Sequence, residues 1–223
     1  MIKSLIAFDL DDTLYPESDY VLSGFKAVSQ LMKNQFGMSN TYQEFVKTFG
    51  MGERKKTFNI ALRRLGIEYN EELINEMVNC YRKHFPDIRP YNDVVPILKY
   101  LRQNNTLVLI TDGYLDAQKN KIQALNIEQF FQKILYTDEY GKDYWKPNMR
   151  SFQMVMACFS VNNDECVYVG DNINKDFFAP NKLGWLTIQI KRKNGLHSDF
   201  IKNEEFTPKT KISSLLKLKE ILK

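Results

Sequence analysis

The feature that most narrows the fold is a change of rhythm along the chain. The segment Ser4 to Phe8 is a short apolar run that ends abruptly in acids, as a buried strand opening onto a loop does. Strand signals then vanish over residues 17–85. Val21, Leu22, Phe25, Val28, Leu31, Met32 and Phe36 recur at helical spacing, with Gly37 as a stop. Thr41 and Glu44 suggest a capping box for a second helix through Phe49. Phe58, Ala61, Leu62 and Leu65 mark a third, stopped by Gly66, and Leu73, Ile74, Met77, Val78 and Tyr81 a fourth. Pro86 and Pro90 close this stretch.

Beyond it, helix and strand signals alternate. A helix through Leu101 is followed by the strand run Leu107 to Ile110. A helix through Leu125 is followed by a short strand at Ile134 to Tyr136. Next come a helix over Met149 to Phe159, a strand over Cys166 to Val169, a helix over Asp176 to Leu183, a strand over Trp185 to Ile190 and a last amphipathic helix, Ser213 to Leu222. Such alternation predicts an α/β domain with a mostly parallel sheet flanked by helices. That domain is interrupted after its first strand by an α-helical insertion. The expected division is a core of residues 1–16 and 88–223, with residues 17–87 inserted.

Composition removes several function classes. The 223 residues are 43% hydrophobic and 26% charged, ordinary for a globular chain. A net charge of +4 without a long Lys/Arg run does not argue for nucleic acid. No apolar stretch reaches membrane-spanning length, and Asp9 cuts the first apolar run too short for a signal peptide. Cys80, Cys158 and Cys166 form no C-x-x-C pair, so they read as buried thiols in a reducing cytoplasm. Nucleotide-cradling glycine loops and the templates of serine hydrolases and zinc proteases are missing.

Ligands of open parallel sheets bind at the carboxyl ends of the strands. Asp9, Asp11, Asp12 and Thr13 follow the first strand; Thr111, Asp112 and Gly113 follow the second; Gly170 and Asp171 follow the fourth, with Asp176 close behind. Lys146 lies between, in WKP. Carboxylates gathered at one edge repel one another unless a cation joins them, and all-oxygen donors suit Mg²⁺. A lysine, a threonine hydroxyl and backbone N–H groups would hold phosphoryl oxygens, and an aspartate can form an aspartyl-phosphate.

Together these segments resemble the haloacid dehalogenase-like (HAD) superfamily, in its phosphatase form. FDLDDTLY (residues 8–15) resembles the D-x-D-x-T motif; Thr111 in LVLITDG, Lys146 in YWKP and the acid pair of VGDNINKD (residues 169–176) resemble the other three, in the right order. The resemblance spans nearly the whole chain. It implies a Rossmann-like core, a helical C1-type cap made by the insertion, and Mg²⁺-dependent hydrolysis of a small-molecule phosphate monoester. Residue by residue, it implies Asp9 as nucleophile and metal ligand. Asp11 becomes the general acid and then base, its backbone carbonyl also reaching the metal. Thr111 and Lys146 bind the phosphoryl group, Lys146 also steadying Asp9. Asp171 completes the metal site and Asp176 supports it. Asp12 and Asp112 would act through backbone N–H groups, Asp112 on the phosphate.

Ile173 and Lys175 depart from the superfamily's usual fourth motif, where Pro and Asn are common. Asp11 is the acid that dehalogenating members lack, which argues against halide release. His84 and His197 match no motif and read as structural. The basic run Arg54, Lys55, Lys56, then Arg63 and Arg64, reads as a solvated helix face; the alternative is that Arg54 or Lys55 reaches an anionic substrate. A phosphomutase would use the same groups. A phospho-accepting receiver would carry its aspartate after the third strand and lack the insertion, and a non-catalytic binding module would have no need of the intact set. The expected partner is a small phosphorylated metabolite, with neither nucleic acid nor membrane, and the oligomeric state is open.

Overall fold

The structure is a computed structural model that describes residues 4–197 and 203–222. The chain divides into two compact units, one of Met1–Glu17 with Ile88–Lys223 and one of Ser18–Asp87.

The first unit is built on six parallel strands, β1 (Leu5–Phe8), β2 (Thr106–Thr111), β3 (Lys133–Tyr136), β4 (Cys166–Gly170), β5 (Leu186–Ile190) and β6 (Thr210–Ile212), in the order β3-β2-β1-β4-β5-β6. Helices α5 (Val94–Leu101), α6 (Leu115–Leu125), α7 (Arg150–Phe159), α8 (Phe178–Lys182) and α9 (Leu218–Ile221) belong to this unit. The fold is the expected Rossmann-like α/β arrangement. Leu5 pairs with Thr106 on one side and with Cys166 on the other, so β1 is central. Every residue of β1 and β4 is buried, which explains why they read as unbroken apolar runs rather than alternating ones. One sheet face carries Leu5, Ala7, Val108, Ile110 and Tyr168 into a core with Phe152 and Trp185. The Phe152 ring meets Tyr168 edge-on at 5.1 Å and Trp185 at 5.5 Å. Such pairs add about 0.5–1.5 kcal/mol beyond burial. Sequence direction reverses about β1: the chain builds β2 and β3 on one side, then crosses to β4 on the other. This switch point is where open parallel sheets place their ligands.

The second unit is helical: α1 (Glu17–Phe36, entered from the first unit), α2 (Thr41–Gly50), α3 (Thr57–Arg64) and α4 (Glu71–Lys83). Phe25 centres its core, with ring centroids 5.8 Å from Phe45, 6.0 Å from Phe58 and 6.0 Å from Tyr81. Gly37 ends α1 at φ +68°, a left-handed turn that a side chain would strain.

Several expectations are corrected. The Thr41–Glu44 capping box does not form. Thr41 is already helical, Asn40 precedes it without a capping bond, and Glu44 is drawn into an ion pair with Arg64 of α3. Helix α8 begins at Phe178 rather than Asp176, whose backbone N–H is held by Asn172 O at 2.9 Å. The single C-terminal helix is instead a 3-10 turn, Leu215–Lys217, running into the short α9. Ser214 starts it, accepting the Leu216 N–H at 3.3 Å. Strand β6 is an addition to the strands that the sequence pattern predicts. Cys166 is buried as expected, but Cys80 is half-buried and Cys158 exposed, and all three are free thiols. No helix among the described residues is long and apolar enough to cross a membrane.

Candidate active site

The carboxyl ends of β1, β2 and β4 bring Asp9, Thr111 and Asp171 to one edge of the sheet, and the loops around Lys146 and Asp176 close on it. Lys146 lies at the centre. Its side chain is fully buried, and its ammonium donates to Asp9 Oδ1, to Asp176 Oδ1 at 2.8 Å and to Tyr168 Oη at 2.8 Å. Burial opposes the ammonium, but Asp176 and then Asp9 outweigh it and hold its pKa well above the usual value. Tyr168 passes the bonding on, donating to Asp176 Oδ1 at 3.2 Å.

One carboxylate oxygen from each of Asp9, Asp171 and Asp176 falls within 4.8 Å of the others. The two oxygens of Asp9 differ. Oδ1 meets Lys146, whereas Oδ2 is buried without a hydrogen-bond partner. Burial pushes the Asp9 pKa up to about 6 against the pull of Lys146, and Asp176 adds to the rise. Asp171 is raised well above the carboxylate range, first by burial and then by Asp176 and Asp9. Asp176 goes the other way: burial opposes its charge, but Lys146 and Lys175 outweigh it. Crowded, partly unsatisfied oxygen donors of this kind fit a hard divalent cation such as Mg²⁺. Asp171 is oriented by Gln189, whose Nε2 donates to its backbone O at 2.9 Å.

The fourth loop is a tight turn despite its unusual Ile173 and Lys175. Asp176 Oδ2 accepts the Asn172 N–H at 2.8 Å, and Asn172 Oδ1 accepts the Asn174 N–H at 3.0 Å. Ile173 is buried in the core. Gly170 leaves the room Asp176 needs: a Cβ there would lie 2.6 Å from Asp176 Oδ2.

Asp11 stands apart from this cluster. Its carboxylate accepts from Lys121 Nζ at 2.7 Å, Gln118 Nε2 at 3.1 Å and Tyr15 Oη. Burial opposes the charge, yet Lys121 overcomes it, helped by Tyr15 and Gln118, and the pKa falls to about 2. Thr111 is buried, and its hydroxyl has no hydrogen-bond partner. Asp112 turns its carboxylate to Thr137 Oγ1 at 2.9 Å and to the Lys146 N–H at 3.2–3.3 Å, so it braces the loop carrying the lysine. Asp12, at φ +50°, accepts the Glu17 N–H at 2.9 Å and the Leu196 N–H at 2.6 Å and supports the loop after β1. His197 pairs with Glu17 at 3.2 Å. In the helical unit, Arg54 lies over the Phe49 ring at 5.3 Å. A polar cavity of about 210 Å³ opens beside Asp12 and Asp171, bordered by Lys191, Lys193 and His197.

Tyr15, Gln118, Lys121, Tyr168 and Lys175 are site neighbours to which the motifs assign no role. Three of them carry a signal in the sequence. Gln118 and Lys121 lie on the buried face of α6 with Ala117, Ile122 and Leu125, where apolar residues are expected. Tyr168 puts a hydroxyl into an otherwise apolar strand.

Comparison with known proteins identifies the family. Residues 6–190 match the family model of the haloacid dehalogenase-like hydrolases. A glyceraldehyde 3-phosphate phosphatase of Methanopyrus kandleri is 30% identical over 234 residues, covering 100% of this chain and 98% of the relative. A second protein of that name, from Methanocaldococcus jannaschii, is 29% identical over 231 residues, with 100% and 98% covered. Among solved structures, the magnesium-bound HAD-hydrolase YfnB of Bacillus subtilis superposes with a TM-score of 0.71 at 16% identity, over 100% of this chain and 99% of that one. The chain therefore belongs to the haloacid dehalogenase-like hydrolases, and within them it is an enzyme of the phosphoric monoester hydrolase kind.

Proposed function

We propose that this chain is a Mg²⁺-dependent phosphatase of a small phosphorylated metabolite and that it works through an aspartyl-phosphate on Asp9. The observation that carries this reading is a pair of buried, unpartnered oxygens, Asp9 Oδ2 and Thr111 Oγ1, at the carboxyl ends of the adjacent strands β1 and β2, with the Lys146 ammonium paired to Asp9. Leaving such atoms unpaired costs about 1–3 kcal/mol each, and a substrate and a cation would satisfy them.

Asp9, Asp171 and the backbone carbonyl of Asp11 would hold the metal, with Asp176 behind them. When bound, Mg²⁺ offsets the clustered negative charge and that of the phosphoryl oxygens. Asp9 attacks phosphorus, and the bond to the leaving oxygen breaks. Asp11, which must carry a proton for this half against the pull of Lys121, gives that proton to the leaving oxygen. A water then attacks phosphorus while Asp11, now a carboxylate, takes the water's proton; phosphate leaves and Asp9 is restored. Lys121 and Gln118 hold Asp11 in the carboxylate form that the second half needs. Thr111 donates its hydroxyl to a phosphoryl oxygen. Lys146 fixes Asp9 so that one oxygen stays available. The helical unit is read as a C1-type cap that selects the leaving group.

Relatives named for glyceraldehyde 3-phosphate make a three-carbon phosphate the first substrate to test. The test is phosphate release from a panel of phosphorylated metabolites with Mg²⁺, led by glyceraldehyde 3-phosphate. Chelator and Asp9→Asn should each abolish release. Undiminished turnover by the Asp9→Asn protein would overturn the nucleophile assignment.

A further inference from the structure

Two lysines beside the carboxylate cluster, Lys146 and Lys175, are not equivalent. An ammonium has three N–H donors. Those of Lys146 are matched by Asp9, Asp176 and Tyr168, and its side chain is fully buried. A phosphoryl oxygen could bond to it only by displacing one of these partners. Lys175 is in the opposite condition. Its ammonium makes no hydrogen bond among the described residues. Its ion pair is with Asp112 Oδ2 at 3.9 Å, beyond hydrogen-bonding reach, and its side chain remains 27% exposed. Asp112 is already engaged by Thr137 and the Lys146 N–H.

Lys175 is also fixed at its base. Its backbone N–H bonds Asn172 O at 3.1 Å in the turn that positions Asp176. Asp9, Asp171, Asp176 and Asp112 are all carboxylates at this edge, and Lys146 offsets only part of their charge. Their field bears on Lys175 directly: Asp9, Asp176 and Asp112 each favour its charged form, and Lys175 in turn favours the carboxylates of Asp9 and Asp171. A dianionic phosphoryl group entering such a site needs a cation with donors to give.

We infer that Lys175 is a second phosphoryl-binding cation, donating to a non-bridging oxygen of the substrate while Lys146 serves chiefly to hold the nucleophile. This assignment rests on the phosphatase reading for its substrate. The chemistry it requires is only that of a tetrahedral oxyanion, whether as a substrate's phosphoryl group or as free phosphate.

The experiment titrates inorganic phosphate into the Mg²⁺-supplemented full-length protein by calorimetry, in wild type, Lys175→Met and Lys175→Arg, with thermal melts and steady-state kinetics alongside. A charge-assisted donor predicts that Lys175→Met weakens phosphate binding roughly tenfold or more and raises KM by a similar factor, more than it lowers kcat. Lys175→Arg should recover most of the affinity. If Lys175→Met binds phosphate as tightly as wild type, or lowers only the melting temperature, the residue merely braces Asp112 and the inference is wrong. Absence of phosphate binding in the wild type would overturn it too. If the wild type binds phosphate through Lys175 yet hydrolyses no phosphate ester, the phosphatase reading fails and the assignment of Lys175 stands.

Discussion

Lys121 and Asp11 form an ion pair across 2.7 Å, with side chains only 7% and 13% exposed. It joins the buried face of α6 to the loop after β1. Removing one partner of a buried pair strands the other charge, at a cost of about 3–5 kcal/mol, lessened here because Tyr15 and Gln118 still bond Asp11. Lys121 favours the carboxylate, so Lys121→Met raises the Asp11 pKa from about 2. Any step that needs Asp11 as a base then fails at a higher pH. The acid limb of the kcat profile should move upward, and a limb that stays in place would show that Lys121 does not govern Asp11.

The carboxylate cluster predicts a pH-dependent response to magnesium. The Asp9 pKa, about 6, lies above its ordinary value of 3.8. Between those values the folded state holds more protons than the unfolded one, so this group's contribution to metal-free stability falls as pH rises through the window. A cation that replaces the proton reverses the loss. Added Mg²⁺ should raise Tm near neutral pH, and the gain should shrink below about pH 6 as protons compete for Asp9 and Asp171. A gain of equal size at both ends, seen by scanning calorimetry, would place the cation elsewhere.

Asp93 tests the frame around the site. Its Oδ2 accepts from Arg192 Nη1 at 2.9 Å, Ser214 Oγ at 2.9 Å and the Leu215 N–H at 2.8 Å, tying the start of α5 to the segment after β5 and to the C-terminal turn. Burial opposes its charge, but Arg192 and Leu215 outweigh it and lower the pKa. Its contribution is therefore present above the unfolded value and lost as pH falls through the folded one. Asp93→Ala should cost about 2–4 kcal/mol in urea at neutral pH, and the difference from wild type should narrow in acid. A constant difference across pH would mean that the charge is immaterial.

Gly170→Ala separates geometry from stability. The new methyl would sit 2.6 Å from Asp176 Oδ2, whose carboxylate is held by Lys146, Tyr168 and the Asn172 N–H. Overpacking of this kind costs about 1–3 kcal/mol. Because the displaced atom belongs to the carboxylate cluster, phosphate release should fall by at least roughly tenfold in protein that remains folded by circular dichroism. Near-normal turnover would show that Asp176 can move without consequence.

The strands at the heart of the sheet could be read directly, because burial on both faces leaves apolar runs such as LIAF and CVYVG. Strand β6 could not. Its three residues include an exposed Lys211, and only pairing with β5 makes it a strand. The end of the chain looked like one helix because its leucines are helically spaced, but Ser214 is held by Asp93 and starts a tighter turn there. At the site, Asp9, Thr111, Lys146, Asp171 and Asp176 follow strands or fall in recognisable local patterns. Two of the partners of Asp11, Lys121 and Gln118, come from α6, more than a hundred residues away, and no local spacing reveals that approach. The same holds for Tyr168, whose hydroxyl gains its meaning only when Lys146 arrives beside it.

The central place of β1 has a consequence for how the chain is made. LIAF leaves the ribosome before either neighbour exists: Leu5 must wait for Thr106 on one edge and Cys166 on the other, with the whole helical unit synthesised in between. Long-range parallel pairing of this kind is slow, and an unpaired apolar strand is prone to association. The residue proposed as nucleophile is thus carried by the strand that waits across the longest stretch of chain for its second neighbour, so a chain cut short before β4 would leave one edge of its central strand open.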